Sequence, residues 1–188
     1  MTEILYDFLV SDQHFSHRNI ISYCARPFTD VSHMERELIS RYNAMVGPKD
    51  SVLFLGDCFF APFLVAKEIM DQLPGKKYLL RGNHDKFKYS QLLSMGFMEV
   101  HDKYFKATLG GVPIYYSHYP FVGYSQDTRY EGRRPPSDRV IVHGHTHEKT
   151  KLTPKGTVHV GVDGWDYGPA PIEEVIKLVQ EANRLKYG

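Results

Sequence analysis

The feature that most constrains the fold of this chain is a set of five short apolar segments, each of which runs directly into Asp, Asn or His. Short β-branched and aromatic runs bounded by glycine and polar residues predict buried strands. In layered α/β folds, ligand sites gather outside the carboxyl ends of such strands. In chain order, the segments are 6–10 before Asp12 and His14, 52–55 before Asp57, 78–80 before Asn83-His84-Asp85, 112–116 before His118, and 140–142 before His143, His145 and His147.

Five strand ends on one rim would bring carboxylate, amide and imidazole groups together in a polynuclear metal site. Turns also favour Asp and Asn, so five unrelated turns are the alternative, but turns do not favour His to this degree. Oxygen and imidazole ligands without thiolate indicate Mn, Fe, Zn, Co or Ni. Asp57 stands alone after Gly56, and its two carboxylate oxygens could bridge two cations. Two cations about 3.5–4 Å apart can clamp a phosphoryl oxygen and activate water for in-line attack.

Composition and charge narrow the class of protein. With 188 residues, 42% hydrophobic content and a formal net charge of +1, the chain is expected to form one domain over 1–188 and is neither disordered nor a polyelectrolyte. Cys24 and Cys58 form no CxxC pair, which indicates a reducing compartment. The first residues lack the basic and apolar parts of a signal peptide, and no apolar run has the length of a membrane span. We therefore expect a cytoplasmic protein without membrane contact.

The remaining pattern predicts helices between the early strands and a hairpin later in the chain. Ser32 and Glu35 have the spacing of a capping box at the start of a helix that ends before Gly47-Pro48. The other predicted elements are a short helix over 15–21, helices over 62–73, 89–95 and 171–186, a hairpin pairing 98–109 with 112–116, and a strand over 157–162. Together they predict a mixed two-sheet core with helices outside.

The ordered motifs Asp12-x-His14, Gly56-Asp57, Gly82-Asn83-His84-Asp85, His118 and Gly144-His145-x-His147 resemble the motif set of the calcineurin-like metallophosphoesterase superfamily. Each motif is weak by itself, whereas the ordered set over 12–147 is highly specific. The opening with Phe15, His17 and Asn19 resembles small bacterial and phage-borne members. The resemblance implies an α/β fold, a four-layer α/β/β/α sandwich of two mixed β-sheets flanked by helices.

The resemblance also implies roles for individual residues. One metal would be bound by Asp12, His14, Asp57 and His147, and a second by Asp57, Asn83, His118 and His145. Asp57 and a hydroxide would bridge the two divalent cations, for which Mn is the first expectation. His84 would stabilise the phosphoryl transition state and protonate the leaving group, so that His84 and Asp57 are the expected catalytic residues.

One departure from the family pattern affects the residue that orients His84. The phosphoprotein-phosphatase branch has an Asp three residues after its Gly-Asp aspartate, where this chain has Phe60. That branch is therefore disfavoured, and Asp85 is the nearest candidate to orient His84.

The residues that would contact the substrate are less well defined. His17 and Arg81 are candidates beside Asn83, although His17 could be a surface residue and Arg81 a structural ion-pair partner. Aromatic and arginine side chains alternate in the loop 119–138, which would suit base stacking, although a solvated loop is the commoner explanation. His143 is expected in or behind the site, and His33, His101 and His159 at structural or surface positions. The loop residues in question are Tyr119, Phe121, Tyr124, Arg129, Tyr130, Arg133 and Arg134.

These features predict a phosphoesterase that acts on a small phosphodiester or nucleotide-type substrate. Two alternatives stay open. A nuclease acting on nucleic-acid ends would share the site but needs a basic track, which the near-neutral charge does not favour. A non-catalytic interaction module, like retromer subunits of the same fold, should have lost metal ligands, whereas every expected position is kept here.

Overall fold

Strands and helices alternate in the first half of the chain, and strands dominate the second half. The computed structural model describes residues 6–124 and 129–188. Residues 1–5, part of the segment where no signal peptide is expected, and residues 125–128 of the loop 119–138 lie outside the described residues. The strands are β1 (Phe8–Val10), β2 (Ser51–Phe54), β3 (Lys76–Leu80), β4 (Phe97–His101), β5 (Phe105–Leu109), β6 (Val112–Tyr116), β7 (Val140–His143), β8 (Val158–His159) and β9 (Ala170–Pro171). The helices are α1 (Arg18–Tyr23), α2 (Val31–Met45), α3 (Phe63–Met70), α4 (Tyr89–Ser94) and α5 (Ile172–Tyr187), with 3-10 turns at Glu131–Arg133 and Val162–Gly164.

The strands form two mixed sheets. The first has the order β4-β3-β2-β1-β9, in which β1 to β4 are parallel and β9 pairs antiparallel with β1. The second has the order β5-β6-β7-β8, in which β5 and β6 form an antiparallel hairpin and β6, β7 and β8 are parallel. This arrangement of two mixed sheets flanked by helices confirms the predicted fold class.

Alternation along β2 explains how the first sheet takes part in two cores. Val52 and Phe54 belong to a buried cluster with residues of α2 and α3. Leu53 and Leu55 belong to a second cluster, which contains residues of both sheets and the apolar face of α5. Side chains of a strand point alternately to opposite faces, so a strand buried on both sides is apolar throughout. The first sheet is therefore covered on both faces.

Two predictions about local structure are wrong. The segment 98–109 is not one hairpin strand, because β4 pairs parallel with β3 in the first sheet while β5 pairs with β6 in the second. The chain changes sheets at the polar residues between β4 and β5. Helix α2 begins at Val31 and is capped by Asp30, whose carboxylate accepts a hydrogen bond of 2.8 Å from the His33 backbone N–H. The cap is therefore two residues before the predicted Ser32.

Two other elements differ only in their bounds. The first helix covers Arg18–Tyr23, and the strand predicted over 157–162 is reduced to β8. Among the described residues, no helix combines the length and the hydropathy needed to cross a bilayer.

Candidate metal centre

The five predicted ligand segments follow the carboxyl ends of β1, β2, β3, β6 and β7. Parallel pairing aligns β1, β2 and β3 in one sheet and β6 and β7 in the other, so their carboxyl ends lie on one rim. A hydrogen bond of 3.0 Å from the Asp12 backbone N–H to the Gly56 carbonyl joins two of the segments directly. The rim of both sheets therefore gathers the side chains that the sequence delivers to strand ends.

The backbone of these segments is unusually strained. Five predicted ligands have positive φ angles: Asp12 (60°), His14 (53°), Asp57 (54°), His145 (69°) and His147 (51°). L-residues rarely adopt this left-handed region, at a cost of order 1 kcal/mol each. Such strain persists where surrounding structure fixes it and is typical of functional sites. It also explains how Asp12 and His14, two residues apart, can turn toward one centre.

Two glycines permit the close approach of the segments. A Cβ atom at Gly82 would collide with the Asp57 side chain, and one at Gly144 would collide with the side chains of Ser11 and Asp12. Any larger residue at either position would separate two of the strand ends.

The side chains form two groups that could each hold a cation, with Asp57 at their boundary. Ligand atoms of Asp12, His14 and His147 lie within 4.8 Å of one another, as do those of Asp57, His118 and His145. Oδ2 of Asp57 lies 3.6 Å from Nε2 of His14 and 3.5 Å from Nε2 of His118, so it faces both groups. Asn83 belongs to the second group by position, since its Oδ1 lies 3.3 Å from Nε2 of His118.

The donor atoms fit two divalent cations. Nε2 of His14 is buried and has no hydrogen-bond partner among the described residues. His118 donates from Nδ1 to the Leu55 carbonyl at 2.7 Å, which leaves its Nε2 directed at Asp57 and Asn83. Ligating histidines commonly use one ring nitrogen for the metal and donate from the other to a carbonyl or carboxylate. The structure thus brings all seven predicted ligands together, while their role as ligands stays a prediction.

Burial and neighbouring charges shift the pKa values of the candidate ligands. Burial raises the pKa of Asp12 above its ordinary value. Burial opposes ionisation of Asp57 as well, but the histidines around it, His118 foremost, lower its pKa overall. Burial lowers the pKa of His145 to about 3, which keeps this ring neutral and able to bind a metal.

Asp163 and Arg26 complete the site from behind, and neither was predicted from the sequence. Asp163 Oδ2 lies 2.9 Å from Nδ1 of His147 and 2.8 Å from Arg26, in a buried ion pair. Arg26 also donates to the backbone carbonyls of Asp12 and Gln13, at 2.7 and 3.0 Å. These contacts fix the ring of His147 and the Asp12 segment. The signal was present in the sequence, because Asp163 follows the predicted strand 157–162 as the other site residues follow theirs.

Asp85 does not orient His84, contrary to the prediction. Its carboxylate accepts hydrogen bonds from the backbone N–H groups of Asp57 (2.8 Å), Cys58 (3.0 Å) and Gly82 (2.8 Å). It therefore holds the second and third ligand segments together. Nδ1 of His84 is buried and has no hydrogen-bond partner among the described residues. The ring of His84 is positioned instead by its backbone N–H, which donates to Asp57 Oδ1 at 2.9 Å, and by Phe60, 5.3 Å away between ring centroids.

The three predicted substrate residues differ in availability. His17 and Asn83 line a cleft of 570 Å³, which is also lined by His84 and by the candidate ligands His14, Asp57, His145 and His147. Nδ1 of His17 shares a hydrogen bond of 3.0 Å with Nδ1 of His14, and burial lowers the pKa of His17. Arg81 pairs with Asp102 at 3.0 Å and donates to the carbonyls of Asp85 and Phe87. The structural alternative therefore describes Arg81 better than a role in binding phosphate.

The loop 119–138 contacts the Asn83 segment through Arg133. This guanidinium donates to the backbone carbonyls of Arg81, Gly82 and Asp102 and lies 5.3 Å from the Tyr119 ring centroid. Tyr119 is buried, and Tyr130 stacks on it. In the described part of the loop, these groups support the site rather than face the cleft.

The other histidines have structural surroundings. His143 is buried and hydrogen bonded to the Gly144 carbonyl and the Thr157 hydroxyl. His159 is also buried, with its Nε2 4.0 Å behind Asp12. His33 pairs with Thr29 at the start of α2, and His101 lies 3.3 Å from Glu99.

Comparison with known proteins agrees with this geometry. The family model of the calcineurin-like phosphoesterase superfamily domain matches residues 8–162. An uncharacterised protein of Methanocaldococcus jannaschii is 32% identical over 187 residues, covering 95% of this chain and 94% of the relative. The gene 66 protein of Mycobacterium phage D29 is 27% identical, covering 91% of this chain and 94% of its own length. The crystal structure of a protein of unknown function from Aquifex aeolicus matches with a TM-score of 0.67 and 26% identity, covering 92% of this chain and 98% of that one. The chain belongs to the calcineurin-like phosphoesterase superfamily.

Proposed function

We propose that the protein is a dinuclear metal-dependent phosphoesterase that hydrolyses a small phosphodiester or nucleotide-type substrate. The single observation that supports this most directly is that Asp57 faces both groups of candidate ligands, with His84 3.8 Å from the same carboxylate oxygen. A shared carboxylate is what two neighbouring cations require. Manganese is our first choice of metal because the donors are carboxylate, amide and imidazole, and Fe, Zn, Co and Ni are the alternatives.

Each residue has a distinct task in this proposal. Two divalent cations, when bound, supply positive charge to the phosphoryl oxygens and activate water for in-line attack. Asp12, His14 and His147 would hold one cation, Asn83, His118 and His145 the other, and Asp57 would contact both. His84 lies at the mouth of the cleft, with its side chain 29% exposed, where it can donate a proton to the leaving oxygen. His17 lies beside it and can orient the phosphoryl group.

The described surroundings of the site favour this proposal over its alternatives. An interaction module would not need the strained backbone and the buried, unpartnered Nε2 of His14. A nuclease would need a row of basic side chains that bind the phosphates of a nucleic acid. Arg81 and Arg133 instead donate hydrogen bonds to Asp102 and to backbone carbonyls. The free thiols of Cys24 and Cys58 support a reducing compartment, and we place the protein in the cytoplasm on that basis.

The test is hydrolysis of bis(p-nitrophenyl) phosphate and p-nitrophenyl phosphate after chelation and Mn²⁺ add-back. We expect activity that returns with metal and is faster on the diester. Faster cleavage of the monoester would indicate a phosphatase. Tight metal binding, with no hydrolysis in the presence of any of several metals, would favour the interaction module.

Asp57→Asn should abolish this activity, because a neutral amide cannot replace the shared carboxylate. Asp71→Asn is the matched control, since Asp71 forms an exposed ion pair with Lys67 on α3. Near wild-type turnover in the Asp57 variant would contradict the mechanism.

A further inference from the structure

A second cavity opens beside the metal cleft and is assigned no role by the proposed function. Its volume is 380 Å³, which lies in the range of small-ligand pockets. Phe60 and His84 line both this cavity and the cleft, so the two spaces are continuous at the residue proposed to protonate the leaving group. The described lining residues are Phe59, Phe60, Ala61, Pro62, His84, Lys86 and Phe87.

Phe60 is exposed but held in place. Its side chain is 52% exposed, yet its ring stacks on His17 with centroids 4.3 Å apart and an interplanar angle of 16°. His17 in turn is held by its hydrogen bond to His14. Single exposed apolar residues are common and need no explanation. A fixed aromatic ring at the mouth of a catalytic cleft, continuous with a largely apolar cavity, is less common and indicates a surface for a ligand.

The chemistry of the cavity favours a planar, electron-rich ring attached to an anion. Phe87 packs edge-on against Phe59 and Phe63, with ring centroids 6.3 and 6.2 Å away, and Pro62 adds a rigid side. The described lining contains no carboxylate, and its one side chain of fixed charge is the exposed Lys86. Aromatic side chains beside a cation are what nucleotide-binding surfaces use, since bases stack on aromatic rings and the cation attracts phosphate.

We propose that Phe60, together with Phe87 and Pro62, forms the subsite for the nucleobase of the leaving nucleoside in a nucleotide-type phosphodiester. This inference rests on the proposed function and adds the substrate class and the side on which the base lies. His84 lies where the cavity meets the cleft, so the group in the cavity is the one whose oxygen receives the His84 proton.

The reaction balances with water as the only co-substrate. The water oxygen bonds to phosphorus, the bond between phosphorus and the nucleoside oxygen breaks, and that oxygen takes the proton of His84. A proton from the water restores His84. The products are a free nucleoside, or a shortened strand end, and a phosphomonoester.

The loop 119–138 is a weaker candidate for base stacking. Tyr119 is buried under Tyr130, and Arg133 is committed to three backbone carbonyls. The cavity nearest to that loop, of 310 Å³, is lined by Arg81, Lys103, Asp102 and Arg133 and offers no aromatic ring. Tyr23 also lines the cleft and is exposed, but it does not line the second cavity, whereas Phe60 lines both spaces.

The experiment compares the dinucleotide dApdA, two deoxyadenosines joined by one phosphodiester, with two analogues in which the base on one side or the other is replaced by hydrogen. The released products identify the leaving nucleoside. Removing its base should lower kcat/KM by about 5- to 150-fold, which corresponds to about 1–3 kcal/mol of stacking at 1.4 kcal/mol per tenfold change. Removing the other base should have a smaller effect. The readout is the ratio of kcat/KM for dApdA to kcat/KM for the analogue that lacks the leaving base. A change in metal binding affects both values equally and cancels in this ratio.

Variants of Phe60 test whether this ring is responsible. Phe60→Ala should bring the ratio close to one, and Phe60→Trp should keep it. Phe60→Leu keeps an apolar side chain but has no ring, so it should lose most of the ratio. It takes the place of Phe60→Ala if the alanine variant is unstable. Tyr187→Ala is the matched control, because Tyr187 is 54% exposed on α5, outside the residues that line either cavity, and should keep the wild-type ratio.

Four outcomes would overturn the inference. A wild-type ratio near one, or an unchanged ratio in Phe60→Ala, would remove the subsite while leaving the phosphoesterase intact. A hexyl ester of dAMP cleaved as fast as dApdA, with the same sensitivity to Phe60→Ala, would show an apolar pocket without preference for bases. No metal-restored cleavage of any dinucleotide or of bis(p-nitrophenyl) phosphate would overturn the proposed function as well.

Discussion

Nδ1 of His147 lies 2.9 Å from Oδ2 of Asp163, on a ring that also brings a nitrogen within 4.8 Å of ligand atoms of Asp12 and His14. The carboxylate is held in turn by the buried guanidinium of Arg26, whose Nε and Nη2 donate to it at 2.9 and 2.8 Å. A carboxylate behind a ligating histidine fixes the tautomer of the ring and raises its basicity. In the proposed metal centre, Asp163 is therefore a positioning residue for the first metal.

Asp163→Asn should weaken metal binding by about 10- to 100-fold, because the amide no longer compensates Arg26 or fixes the tautomer of His147. Calorimetric titration of the chelated protein with Mn²⁺ measures this directly. Asp166→Asn is the matched control, since Asp166 pairs with Arg41 at 2.7 Å but its side chain is 93% exposed. Equal affinities of the wild type and the Asp163 variant, with both proteins folded, would contradict the assignment.

His84→Ala should cost more with poor leaving groups than with good ones. An alkoxide needs a proton as the bond to phosphorus breaks, whereas p-nitrophenolate leaves without one. We expect a loss of about 10²- to 10⁴-fold for an alkyl ester and a clearly smaller loss for bis(p-nitrophenyl) phosphate. Equal losses for the two substrates would argue that His84 only binds the phosphoryl group.

Local patterns in the sequence were sufficient to find residues that the fold brings together as candidate ligands, but not the residues that hold them in place. Asp12, Asp57 and His118 could be found because each follows a short apolar run, and parallel strands bring such ends to one rim. Asp163 ends a run of the same kind, yet its partner Arg26 is 137 residues away and gives no local signal. Asp85 was recognised by its position beside His84, although its contacts are with three backbone N–H groups of segments that meet only in the folded chain.

The two wrong predictions about local structure have a similar origin. The strand predicted over 98–109 runs across the polar residues Asp102 and Lys103, but pairing with β3 draws Phe97–His101 into the first sheet, and pairing with β6 draws Phe105–Leu109 into the second. The choice of sheet depends on tertiary partners that the pattern does not contain. At the start of α2, Asp30 and Ser32 are both good caps, and Asp30 alone has the extended backbone that a cap requires.

Metal binding should release protons at neutral pH. Burial lowers the pKa of His118, but Asp57 and other neighbours outweigh it and raise the pKa to about 9. Burial opposes protonation of His147 too, and the hydrogen bond that its ring donates to Asp163 outweighs it, raising the pKa to about 10. Both rings therefore carry an extra proton at pH 7 without metal, and a cation must displace it. Affinity should rise with pH from 7 to about 9 and level off above about 10.

Titration with Mn²⁺ in buffers of different ionisation enthalpy counts these protons. We expect close to two released at pH 7 when both sites fill, and fewer in Asp163→Asn, where the pKa of His147 falls. His33→Gln is the control, because His33 lies at the exposed start of α2 and should leave the count unchanged. An affinity independent of pH between 7 and 9 would show that both rings are already neutral.

Asp85 should contribute to stability even without metal. Three buried or partly buried backbone N–H groups, those of Asp57, Cys58 and Gly82, donate to its carboxylate, which is 2% exposed. Asp85→Ala would leave them without an acceptor, at a cost of about 1–3 kcal/mol for each group that water cannot reach. We expect the free energy of unfolding to fall by roughly 3–5 kcal/mol, measured by urea denaturation in the presence of a chelator.

Asp71→Ala is the control for this measurement, because its ion pair with Lys67 is exposed and should contribute less than about 1 kcal/mol. Asp85→Asn should lie between the two, since an amide oxygen still accepts but carries no charge. Because Asp85 joins the Asp57 and Gly82 segments, Asp85→Asn should also weaken Mn²⁺ binding at temperatures where the variant is fully folded. A stability loss without any loss of metal affinity would restrict the role of Asp85 to folding.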